Sequence, residues 1–151
     1  MAMQTAAKRA FTRGRSWARR SAMQALYQWQ MTGQDAATIY DQFLDDQDMS
    51  KVDVDYFHEL LCQIPHALTT LDASLSPFLD RPLEQVDPVE RAILRVAVYE
   101  LTYRPDIPFR VVINEAVEIA KKFGAEQGHR FVNGVLDKTA HRLRPSEGVR
   151  K

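Results

Sequence analysis

Apolar positions recur along this chain at three- and four-residue spacing, and no segment alternates with a period of two, so the pattern predicts helices and no sheet. Between Ser16 and Met31, Ala18, Ala22, Ala25, Leu26 and Trp29 share one stripe, with Arg15 and Arg19 at its edge, and Gly33 closes the helix. "DAATIYDQFL" (35–44) predicts a second helix opened by Asp35. "KVDVDYFHELLCQI" (51–64) predicts a third, which Pro65 breaks or kinks. A fourth covers 66–80 and ends or bends at Pro77. "DPVERAILRVAVYELTY" (87–103) carries the clearest start signal. Asp87 suits the cap, Pro88 the first turn, and Glu90 the reciprocal position of a capping box, with Ile93, Val96, Ala97 and Leu101 inward. After the turn "RPDIP", a helix over 109–123 buries Val112, Ile113, Ala116, Val117 and Ala120 and pairs Glu118 with Lys122. Gly124 suits a left-handed stop, and a last helix from about Glu126 to His141 buries Val132, Val135 and Leu136. About seven helices make an all-α chain.

A length of 151 residues fits a single domain that hides roughly 68–70% of its unfolded surface, so no disulfide or metal is needed for a core. The expected organisation is a flexible basic arm (1–14), a helical domain (15–145) and a short disordered tail (146–151). The lone Cys62 permits no internal disulfide. No run reaches the ~18 apolar residues of a membrane span, and the amino end lacks the apolar centre of a secretory signal.

Net charge is zero, from 20 basic and 20 acidic residues, yet the charges are segregated. Residues 1–20 contain Lys8, Arg9, Arg13, Arg15, Arg19 and Arg20 and no acid. Residues 35–59 hold eight acids against Lys51 alone, and residues 121–151 are basic again. Such asymmetry points to a polyanion at the basic ends, or else to plain solvated faces.

Catalytic chemistry is not legible. His58 and Cys62 share a helix face, but two ligands do not make a zinc site, and a structural pair is the simpler reading. The acids of 35–59 lack the ligand order of a calcium loop, and no phosphate-binding or nucleophile-elbow motif is present. The chain reads as a non-enzyme with no cofactor.

Binding chemistry is legible. "RGRSWARR" groups Arg13, Arg15, Arg19 and Arg20 around Trp17 at an expected helix start, where cations are slightly unfavourable against the dipole. The joint "KKFGAEQGHRFVNG" offers Gly124 and Gly128 for close backbone approach, His129 and Arg130 as donors, and Phe123 or Phe131 as a stacking face. The same residues also suit capping and core roles.

"ARRSAMQALYQWQ" (18–30), "QFLDDQD" (42–48), "VDPVERAILRVAVYEL" (86–101), "IPFRVVINEAVEIAKKFG" (107–124) and "HRFVNGVLDK" (129–138) together resemble the NusB family of transcription antitermination factors. The resemblance covers roughly residues 15–145. It implies two packed three-helix bundles and no catalytic activity. It implies binding to single-stranded boxA of nascent ribosomal RNA together with NusE, a ribosomal protein, and assembly with other Nus factors on RNA polymerase in the bacterial cytoplasm. By resemblance the RNA contacts are Arg13, Arg15, Arg19 and Arg20, then Phe123, Gly124, Gln127, His129, Arg130 and Phe131. Phe78, Glu84 and Glu90 become candidates for the protein interface. Ser16 and Trp17 interrupt what is often an unbroken arginine run, which leaves the RNA register and the share of Lys8 and Arg9 open. The alternatives are the RNA-binding front of a ribosomal RNA methyltransferase, against which the absence of a following methyl-donor domain speaks, and a homodimeric protein scaffold. The free protein is expected as a monomer or homodimer.

Overall fold

Helix is the only regular structure among the described residues, as the periodicity requires. The computed structural model describes the backbone of residues 2–149 and the side chains of residues 5–147. Its elements are α1 (Ala2–Thr32), α2 (Ala36–Asp46), α3 (Val54–His66), α4 (Leu68–Leu75), α5 (Pro88–Tyr103), α6 (Phe109–Phe123), α7 (Gly128–Leu143) and α8 (Pro145–Val149). Two 3-10 turns, Ser76–Phe78 and Leu83–Gln85, connect α4 to α5. The chain divides into two compact units, Met1–Pro65 and His66–Lys151.

In the first unit, α1 reaches well beyond the expected Ser16. Residues 2–14, expected as a flexible arm, are helical because "AAKRAF" is rich in strong helix formers and nothing before Gly14 breaks the pattern. Gly33 stops the helix with φ 70°, a torsion that glycine adopts without steric cost. Ala18, Ala22, Ala25 and Leu26 are buried as expected, whereas Trp29 is only half-buried. Gly14 lets the next connection come close: its carbonyl accepts from the Asp53 N–H at 3.1 Å, and a Cβ there would touch the Asp53 side chain. Asp53 in turn caps α3, accepting from the Tyr56 N–H at 3.1 Å. Phe57 anchors the aromatic core of this unit, with Tyr40 and Phe43 ring centroids at 5.7 and 5.5 Å. Pro65 is accommodated one residue before the end of α3.

In the second unit, α5 is the axis. Residues 92–101 are all buried, and α4, α6 and α7 pack on it. Each large aliphatic side chain hidden there contributes roughly 1.5–3 kcal/mol. Arg95 and Glu100 are the charged exceptions among them, and Arg95 is compensated by a two-bond pair with Asp72 of α4 at 3.1 and 2.9 Å. Val117 is half-buried while Ile119 takes a core position, and Glu118 pairs with Lys121 at 3.4 Å rather than with Lys122. The expected tail is helical over Pro145–Val149, and its beginning is tied down. Arg144, buried just before α8, donates to the carbonyls of Glu100, Leu101, Arg104 and Ile107 and pairs with Glu147 at 3.0 Å. Glu147 also accepts from the Phe109 N–H, so one short segment caps the end of α5 and the start of α6.

Candidate nucleic-acid interface

The four arginines of the amino segment lie in the middle of α1, not at its start, so the dipole cost expected for them does not arise. They also differ in what they offer. Arg13 is exposed. Arg15 is held between aromatic rings, 4.7 Å over Phe11 and 3.9 Å over Tyr56, with its Nε 3.4 Å from Asp53. Arg19 is only 4% exposed, beside the same Tyr56 ring at 5.7 Å. Its place at the edge of the helical stripe is covered by α3. Arg20 stacks on Trp17 at 4.2 Å. Arg13, Arg20 and the Trp17 indole are therefore the parts of this group that a ligand meets first.

The second group forms the corner between α6 and α7. Gly124 ends α6, but with φ −81° it is not the left-handed stop expected; its requirement is steric, since a Cβ would press on the Ala120 carbonyl. The left-handed residue is Gln127, with φ 69°, a conformation uncommon for a side-chain-bearing residue. It accepts from the Arg130 N–H at 3.1 Å and so starts α7 at Gly128, two residues later than expected. α7 has no acid of its own in its first turn, where His129 and Arg130 follow Gly128 directly, but the Glu90 carboxylate of α5 lies against Gly128 at this positive end of the helix.

Beneath the corner lies Glu90. Asp87 caps α5 alone, accepting from the Val89 and Glu90 N–H groups at 2.9 and 3.2 Å. The Glu90 carboxylate, expected to complete that cap, turns instead toward the corner, where the Ala125 N–H donates to it and Gly128 leaves room for it. Burial pushes its pKa up, reinforced by the nearby Asp87 charge; the Ala125 bond and Arg81 oppose the rise. With 4% exposure it offers little surface to a partner.

Arg81 was not legible as a site residue. It sits between the two 3-10 turns, and its guanidinium lies 4.7 Å over the Phe131 ring. The half-buried Phe131 is thereby covered on one face by a cation. Only the fold brings these two residues together, fifty positions apart. Phe78 is half-buried in the first 3-10 turn, and Glu84 is exposed in the second, which Arg91 fixes through the Glu84 carbonyl at 3.2 Å. On α3 the Cys62 sulfur lies 3.5 Å from His58 Nε2, burial raises the thiol pKa, and no cluster of three metal-ligating side chains occurs among the described residues.

Residues 16–141 match the model of the NusB family. The chain is 57% identical over 125 residues to the transcription antitermination protein NusB of Shewanella amazonensis, covering 83% of this chain and 93% of that protein. It is 56% identical over 133 residues to the protein of that name from Nitrosococcus oceani, covering 88% and 89%. The solved structure of T. maritima NusB superimposes with a TM-score of 0.74 at 30% identity, over 90% of this chain and 96% of that one. Fold and sequence agree: the chain belongs to the NusB family.

Proposed function

We propose that this protein is a non-catalytic transcription antitermination factor that binds single-stranded boxA of nascent ribosomal RNA together with NusE. The observation that carries the reading is the family match over residues 16–141, with relatives named for antitermination. The corner between α6 and α7 supports it. His129, Arg130 and the Phe131 ring combine phosphate attraction with a flat face, the two requirements of single-strand binding. Arg13, Arg15, Arg19 and Arg20 supply further positive charge, with Arg19 acting from a buried position. Phe123, Gly124 and Gln127 shape the corner on which the strand lies. NusE contacts Phe78 and Glu84, while Glu90 supports the corner from beneath. The factor works in the bacterial cytoplasm, within a complex of Nus factors on RNA polymerase.

The test is an RNA titration with and without NusE across salt concentration. Four neutralised phosphates on a single strand give a log–log slope near −2.8, hence about fifty-fold weaker binding between 50 and 200 mM salt. Phe131→Ala is expected to reduce affinity for boxA by about tenfold, as for the loss of one stacked base, with a smaller effect on melting. Binding that ignores both boxA sequence and NusE would overturn the assignment.

A further inference from the structure

We infer that Trp17 and Lys51 form a sequence-tolerant nucleotide site, used by RNA outside the recognised element; the inference rests on the RNA-binding reading above. A groove of about 430 Å3 is lined by Ala10, Arg13, Gly14, Trp17, Ser50 and Lys51. Its wall is an indole, its charged groups are two cations, and no carboxylate lines it. The Lys51 Nζ stands 5.4 Å over the Trp17 ring on this side. Arg20 stacks on the same indole at 4.2 Å but lines a neighbouring groove of about 140 Å3, which also contains Asp48. Trp17 is thus a partition with one cation against each groove.

An exposed cation over an indole is held less strongly than a stacked base. A base entering the larger groove displaces Lys51 from the ring, and the freed ammonium joins Arg13 on the adjoining phosphate. Ser50 stays with Asp48, whose pKa is lowered first by the hydrogen bonds of Ser50 and only lastly by Lys51. Stacking on an indole does not discriminate among bases, because every base has a π-face. Ala10, Arg13 and Gly14 precede residue 16, where the family match begins, so this groove is built partly from sequence outside the shared segment.

The experiment titrates the full chain with a single-stranded RNA carrying boxA and with the same RNA extended on either side, and compares Trp17→Ala, Trp17→Phe and Lys51→Gln. Trp17→Ala is expected to weaken binding of the extended RNA about tenfold with the salt slope unchanged. Trp17→Phe retains most of the affinity. Lys51→Gln flattens the slope by about 0.7, one phosphate's share on a single strand. If Trp17→Ala lowers the melting temperature, the Phe and Gln variants decide. Wild-type affinity in all three variants would overturn the groove alone; a wild-type protein that binds no RNA would overturn the groove and the proposed function together.

Discussion

Gln127 holds a left-handed conformation that costs an ordinary residue roughly 1–2 kcal/mol, which glycine avoids. Gln127→Gly is therefore expected to leave the melting temperature unchanged or slightly raised while weakening RNA binding; lower stability in the variant would mean that the glutamine side chain supports the corner. Glu90 and Gly128 make a complementary pair beside it. A methyl group at 128 forces the Glu90 carboxylate off the Ala125 N–H, so Gly128→Ala and Glu90→Ala each cost about 1–3 kcal/mol. Together they cost less than the sum, which a double-mutant cycle by thermal melting checks. Glu90 also makes stability depend on pH. Its pKa in the folded protein is raised above the ordinary 4.5, so the folded state keeps a proton that the unfolded state releases. That contribution is full below 4.5 and is lost as pH rises through the folded value. The melting temperature of Glu90→Gln relative to wild type is expected to increase over that window; a difference that stays flat with pH would contradict the assigned shift. The sequence placed Glu90 in a capping box because spacing along one helix was all it offered, and the destination of the carboxylate depends on α7.

At the scale of elements, most of the helices were legible, since each buries a stripe that its own periodicity records. Their ends were less so. Residues 2–14 extend α1 because local propensity carries the helix past the point where the apolar stripe begins. Arg19 shows the opposite limit: a wheel drawn on α1 puts it at an edge, but Tyr56 of α3 covers that edge. The corner of α6 and α7 was recognisable from its glycines and basic residues, whereas Arg81 on Phe131 was not, because no motif links the connection after α4 to α7. In the sequence Arg144 is only one charge of the basic stretch 121–151. It ties the start of α8 to the end of α5 and the turn after it through four carbonyls, and its removal is expected to lower stability by about 2–4 kcal/mol. Lysine is not an adequate substitute, because a single ammonium cannot present the planar fork. Denaturant unfolding of Arg144→Ala and Arg144→Lys tests this, and a lysine variant as stable as wild type would show that charge alone suffices.

For the molecule as a whole, a formal charge of zero conceals the property that matters for a polyanion partner, the separation of acids in 35–59 from the basic ends. Association with RNA is accordingly expected to be steeply salt-dependent although the protein is neutral overall, which titration at several ionic strengths reveals. A salt-independent affinity would remove electrostatics from the account. The Arg144 grip also has a consequence in time. The carbonyls of residues 100–107 are made long before the guanidinium that satisfies them, and at about 5–20 residues per second the ribosome needs roughly 2–9 s to add the intervening stretch. The end of α5 therefore stays bound to water during synthesis, and the latch closes only once residue 144 has left the exit tunnel.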